Sequence, residues 1–307
     1  MSRARQNRRV TAPALLLDSA SLYYRAYFAL PESMTAPDGF PHNAIRGFFT
    51  TVQRLVAKSG ADRVAACWDM NWRPSWRVDL VPSYKTHRLA DAADSTEVEP
   101  DTLGPQIGAI AQLLDALGIA RPGHEDYEAD DVIATLAGRV RGPVIVVSGD
   151  RDLVQVIDDS RQVMMLYTAA GGMDAWPLLD EAAATQRFGV PPRRYADFAV
   201  LRGDPSDGLP GVPGIGAKTA ASLIEAFGDI DGILAACAQP NRPLTPRLAA
   251  LLQTHEAAVR AAVPVVHLVT DLQISEDIQL PTAPRDPSAL ERLQREWGVS
   301  KFAVLPR

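Results

Sequence analysis

The chain has 307 residues, 47% of them hydrophobic, and a formal net charge of −6. That is enough apolar material for one large domain or two ordinary ones, and the negative balance argues against a protein that coats nucleic acid through a general positive field. No apolar run approaches a membrane span, and no long apolar stretch follows the N-terminal arginines, so the sequence predicts a cytoplasmic protein without membrane partners.

Residues 1–10 hold Arg3, Arg5, Arg8 and Arg9 without an apolar pattern and predict a disordered tail. The run Ala14-Leu15-Leu16-Leu17 predicts a buried strand that ends on Asp18. A helix is expected over 44–58, then a second strand, Val64-Ala65-Ala66-Cys67-Trp68, that ends on Asp69. Regularity then breaks over 70–104, where Trp72, Arg73, Trp76, Arg77, Tyr84, Lys85 and Arg88 precede an acidic stretch at 91–101. Helical spacing returns over 106–117 and over 129–139, and Glu128, Asp130 and Asp131 occupy the start of the latter. A third strand, Val144-Ile145-Val146-Val147, leads through Ser148-Gly149 to Asp150, with Asp152 two residues on and facing the same way if the strand continues.

Strands alternating with helices up to about 165 predict an α/β core over 11–180 with a mostly parallel sheet. From 181 to 307 the pattern is helical, with helices expected over 181–188, 195–201, 217–227 and 288–297. Asp204 and Asp207 lie in a turn-rich segment ahead of Leu209-Pro210-Gly211-Val212-Pro213-Gly214-Ile215-Gly216-Ala217-Lys218. The two cysteines, Cys67 and Cys237, lie far apart and predict buried free thiols in a reducing compartment.

Strand ends of a parallel sheet share one edge, so Asp18, Asp69 and Asp150 are expected to converge there. Such a cluster repels itself unless hard divalent cations, Mg2+ or Mn2+, lie between the carboxylates. Each acid alone is more often a turn former or helix cap than a ligand; several strand ends in agreement favour metal. The glycine-rich segment fails the P-loop spacing, because Ala217 separates Gly216 from Lys218, and matches a helix-hairpin-helix over 195–227 that grips nucleic-acid backbone.

These motifs together resemble the 5′ nucleases: the nuclease domain of bacterial DNA polymerase I and the stand-alone flap endonucleases and phage exonucleases. The similarity runs from Leu15 to about Phe302. The resemblance implies that Asp18, Asp69, Glu128, Asp130, Asp131, Asp150 and Asp152 hold catalytic Mg2+ or Mn2+, two or three per site, with Asp204 and Asp207 at a neighbouring position. It implies a helical arch at about 70–104, with Lys85 and Arg88 on the scissile phosphate and Tyr84 stacked on a base. Arg25 would hold the 5′ strand, and Arg77 would belong to the DNA contacts. Gly211, Gly214, Gly216 and Lys218 would hold the duplex, around a K+ ion as in relatives. The implied activity is 5′-3′ exonuclease and 5′ flap cleavage, by a monomer, on DNA with flaps, nicks or free 5′ ends and on RNA-primed DNA. Two departures stand out: Gly208 replaces the family's usual Asn, and the 91–101 segment is unusually acidic.

Two other readings compete. Asp150-Arg151-Asp152-Leu153-Val154 matches a haloacid-dehalogenase-like phosphatase motif, but no lysine lies between Asp152 and Asp204 to complete that site. A DNA-binding protein that has lost catalysis would lack one of the key acids, and none is missing.

Overall fold

The computed structural model describes residues 11–91, 96–169 and 171–299. The expected tail at 1–10 lies outside the described residues. In chain order the elements are β1 (Ala14–Asp18), α1 (Ser19–Ala29), α2 (Asn43–Ser59), β2 (Arg63–Cys67), α3 (Ser75–Leu80), β3 (Leu89–Asp91), β4 (Thr96–Glu97), α4 (Gly104–Leu117) and α5 (Ala129–Arg139). They continue with β5 (Val144–Ser148), β6 (Val163–Tyr167), β7 (Leu178–Leu179), α6 (Glu181–Phe188), α7 (Tyr195–Arg202), α8 (Ala217–Phe227), α9 (Ile230–Ala236), α10 (Pro246–Thr254), α11 (Glu256–Val266) and α12 (Pro287–Glu296).

The sheet order is β2-β1-β5-β6-β7, parallel except for the β6/β7 pair. Strand β1 is buried along its whole length because it lies between two neighbours and two layers. Its side chains alternate: Leu15 and Leu17 pack with α2 and α4, and Ala14 and Leu16 with α5 and the C-terminal helices. The register sets Asp18 level with Cys67, so Asp69 emerges at the same edge, and Leu17 level with Val147, which brings Ser148 to that edge too. Among the described residues no helix is long and apolar enough to cross a membrane.

Two expectations change. The described part of 70–104 before α4 holds one short helix, α3, and the antiparallel pair β3/β4 rather than a helical arch. The segment offers no apolar stripe for a helix to bury, and exposed Val98 sits beside Glu97 and Glu99. The chain from Leu280 onward does not stay with the C-terminal helices. Val64 donates to the Ile278 carbonyl and Leu280 to that of Asp62, each at 2.8 Å, which covers part of the free edge of β2. Leu290 and Leu293 of α12 then enter the same cluster as Leu15 and Leu17.

The turn between α7 and α8 depends on two glycines in backbone contact. Gly211 has φ +64°, and a Cβ there would lie 2.4 Å from the Gly203 nitrogen and 2.6 Å from the Arg202 carbonyl carbon, neither of which can swing aside. Gly211→Ala is therefore expected to cost roughly 2–3 kcal/mol, read as a lower urea midpoint. A variant as stable as the wild type would show that the two strands of this turn can separate freely.

Candidate active site

At the carboxyl edge of the sheet lies a cleft of about 560 Å³. Asp18, Asp69, Glu128, Asp130 and Asp150 line it together with Lys85, Arg88 and Arg25. Each acid is held by local chain geometry. Asp18 caps α1 by accepting from the Ser21 amide at 3.0 Å and also receives the Ser148 hydroxyl at 2.5 Å. Asp69 accepts from the Ala129 amide at 2.7 Å, which ties the end of β2 to the start of α5. Asp150 caps a turn instead of continuing a strand: its Oδ1 accepts from the Asp152 amide at 2.9 Å, and a 3-10 turn begins at Asp152. The expected strand alignment of Asp150 and Asp152 is thus replaced by a turn, because the chain must leave the sheet after Ser148.

Apart from Glu128, these carboxylates are only partly offset by Lys85 and Arg88, and burial and mutual repulsion outweigh that pull at Asp69 and Asp130. Burial pushes the Asp18 carboxyl up to about 7, with Asp69 and Asp150 adding to it, against the Ser148 and Ser21 hydrogen bonds. Burial, then repulsion from Asp150 and Asp18, holds Asp130 well above the usual carboxylate range. Asp152 is raised likewise by burial, Asp150 and Asp207, and its buried Oδ1 has no hydrogen-bond partner. Burial and Glu128 raise Asp69. Burial also raises Asp207, against the pull of Lys85. Asp150 is thus the neighbour common to the acids of the cleft and to the Asp152–Asp207 pair. Among the described residues no three His, Cys, Asp or Glu side chains are drawn together tightly enough to form a ready-made metal cage.

Beneath the cleft the charges are satisfied. Arg77, 1% exposed, donates to Glu128 at 2.6 Å, to both oxygens of Asp131 at 2.9 and 2.8 Å, and to the Val265 carbonyl at 3.1 Å. Tyr84 donates its hydroxyl to Glu128 at 2.6 Å, and Lys85 Nζ donates to the other Glu128 oxygen at 2.5 Å. Burial works against the Lys85 ammonium, yet Glu128 holds it well above its usual range. Arg77 and Tyr84, expected among the DNA contacts, are instead buried, and both donate to Glu128. Asp131 does not face the cleft either. It receives Arg77 and the Val269 amide, and with Glu128 it forms the capping box of α5.

The 204–208 segment departs from expectation in the same way. Asp204 receives Arg151 Nε at 3.0 Å and Nη2 at 2.6 Å, and Arg202 at 3.3 Å. Burial alone would raise its carboxyl, but Ser206 and Arg151 hold it below the usual value. Asp207 pairs with Arg88 at 3.2 Å, and its carbonyl accepts from the Lys85 amide at 2.9 Å. Gly208 fits because a Cβ there would lie 2.1 Å from the Ser83 carbonyl oxygen. Lys85 itself adopts φ +49°, a strained value for a lysine.

At the hairpin, Val212 and Ile215 are buried, whereas Gly214, Gly216 and Lys218 are exposed at the uncapped start of α8 and Gly211 is half-buried. Sequence reasoning missed Ser21 and Ser148, which fix Asp18 and the Gly149-Asp150 backbone. Ser21 sits three residues after a helix-capping Asp, and that spacing was its available signal.

The 5′-3′ exonuclease N-terminal resolvase-like domain profile matches residues 13–189, and that of the 5′-3′ exonuclease C-terminal SAM fold matches residues 190–287. The chain is 50% identical to a 5′-3′ exonuclease of Streptomyces coelicolor over 93% of this chain and 96% of that one. It is 44% identical to a 5′-3′ exonuclease of Mycobacterium tuberculosis over 94% of each. The fold is shared with a bacteriophage T5 flap endonuclease solved with DNA and metal ions, at a TM-score of 0.65 and 21% identity, over 84% of this chain and 90% of that one.

Two outcomes follow for stability. Arg77→Ala strands two buried carboxylates and is expected to cost about 3–5 kcal/mol in urea unfolding; a loss below about 1 kcal/mol would mean that water reaches them. For Asp18, the raised carboxyl keeps its proton in the fold while the unfolded chain, at 3.8, has lost it. Its contribution to stability is complete below that pH and is lost as pH rises to about 7. Asp18→Asn in EDTA should therefore gain stability relative to wild type between about pH 4 and pH 8. A relative loss over that interval would reverse the sign of the argument.

Proposed function

The chain belongs to the 5′-3′ exonuclease family and is a nuclease, and on that premise we propose that it hydrolyses DNA phosphodiesters at 5′ flaps, nicks and free 5′ ends with Mg2+ or Mn2+. The observation that carries this reading is the convergence of Asp18, Asp69, Glu128, Asp130 and Asp150 with Lys85, Arg88 and Arg25 on one cleft at the strand ends. The donor set is carboxylate oxygen alone, suited to hard divalent cations. The raised acids and the orphaned Asp152 oxygen are what a missing counter-charge would leave behind. Asp18, Asp69, Asp130 and Asp150 would hold such ions, with Glu128, Asp152 and Asp207 at the margin. Bound there, divalent cations supply the Lewis acidity that phosphodiester hydrolysis at neutral pH requires.

The chain's own groups do the rest. Lys85 and Arg88, at the cleft wall, bind and orient the phosphate that is cut, and leaving Glu128 for that phosphate is the exchange Lys85 must make. Arg25 contacts the 5′ strand at the rim. The exposed amides at the start of α8, with Lys218, grip the duplex backbone without reading sequence, and the hairpin carbonyls suit a K+ ion. Products carry 5′-phosphate and 3′-hydroxyl ends. RNA-primed DNA offers the same backbone chemistry, and a monomer holds every residue required.

Asp150→Asn should lower flap cleavage in Mg2+ by several orders of magnitude while leaving DNA binding in Ca2+ nearly unchanged, because phosphate grip and metal chemistry use different residues. Cleavage by wild type in EDTA, or by the variant at the wild-type rate, would refute the proposal. Binding without any cleavage by wild type in Mg2+ or Mn2+ would favour a DNA-binding protein that has lost catalysis.

A further inference from the structure

A second cavity, of about 570 Å³, runs along the outer faces of α1 and α2 and is bounded by residues 171–176. Arg25 lines both this groove and the acidic cleft, so the two meet at one side chain. Its guanidinium is fixed on that boundary by the carbonyls of Thr168, at 2.6 Å, and Gly171, and lies 5.2 Å from the Trp176 ring centroid. Beyond it the groove carries Arg46, Thr50 and Arg54, all exposed. Four residues apart on α2, they form one row about 12 Å long. Gly47 keeps that row close to α1, since a Cβ there would lie 2.5 Å from the Ala26 Cβ.

The substrate strand that enters the cleft is a polyanion and must leave past one of its walls. On the β4 side the cleft presents Glu97 and Glu99, which repel phosphate. On the Arg25 side it opens to a row of cations above an apolar floor that includes Ala29, Leu30 and Met34. Arg54 donates to Asp174 at 3.1 Å, but the two side chains are 52% and 80% exposed, so that pair is weak and can give way to a phosphate.

We propose that this groove binds the unpaired 5′ strand beyond the cleft, with its phosphates on Arg46 and Arg54 and its sugars and bases on the apolar floor. The inference rests on the nuclease reading of the cleft. It is tested with two DNAs of identical duplex, one with a single unpaired 5′ nucleotide and one with about ten, bound in Ca2+ across a range of salt. The double variant Arg46→Glu/Arg54→Glu should lose roughly tenfold affinity for the long flap and keep its affinity for the short one. Its salt slope on the long flap should flatten by about 1.4, two single-strand contacts at about 0.7 each. Asp174→Asn, which frees Arg54, should bind the long flap more tightly. Equal losses on both flaps, or an unchanged long-flap affinity, would overturn the proposal. Failure of the nuclease reading shows separately, as a wild type that cleaves neither flap in Mg2+ or Mn2+, and the binding comparison still decides the groove.

Discussion

The Arg77 guanidinium, buried and shared between Glu128 and Asp131, is the contact on which the site depends. It joins three stretches of chain that no sheet hydrogen bond connects: α3, the start of α5, and the end of α11 through the Val265 carbonyl. With Lys85 on Glu128 it gives two cations and two carboxylates inside the fold, a balanced set. Such an arrangement is poor evidence of net stability, because desolvation offsets much of the attraction. Its value is geometric. Glu128 is held on both oxygens, so the first turn of α5, with Asp130 on it and Asp69 bonded to the Ala129 amide, is fixed against the sheet edge.

The fold thereby divides its acids into two groups. Asp131 and Asp204 have arginines and backbone amides of their own and serve as structural anchors. Asp18 and Asp152 are buried, Asp69 and Asp130 half-buried, and all four carboxyls are raised by desolvation and by neighbouring acids. Gly208 belongs to the same division. The close approach of its backbone to Ser83 brings Asp207 to Arg88 and the Lys85 amide, so the departure from the family's usual Asn accompanies a tight seam between the 204–208 turn and the 83–88 segment.

Strand-end acids were legible because strand burial and a terminal Asp are both local patterns, and the parallel register carries them to one edge. The helices over 129–139, 181–188 and 217–227 were legible for the same reason, as their apolar spacing is local. The burial of Arg77, Tyr84 and Asp131 was not legible because motif position says where a residue falls in the chain and nothing about what covers it. For Arg77 and Asp131 the covering comes from the end of α11 and the 265–269 segment, well over a hundred residues away. Strand β6, and the return of residues 278–299 to the first layer, were missed for a related reason. The backbone at 278–280 meets the β2 edge through amides and carbonyls, which every sequence supplies, so no side-chain pattern announces it.

A protein of net charge −6 that handles a polyanion has to solve its own repulsion locally. The cleft does so asymmetrically: carboxylates at the floor and on the β4 wall, Lys85 and Arg88 at one margin and Arg25 at another. Without cations the floor repels a phosphate, and those basic side chains are partly spent, on Glu128, on Asp207 and on the Thr168 and Gly171 carbonyls. Divalent cations held by the floor carboxylates would offset that repulsion. Lys85 and Arg88 would then meet the phosphate by exchanging Glu128 and Asp207 for it, so the same ion pairs that hold the two cations at the cleft wall set what their release costs.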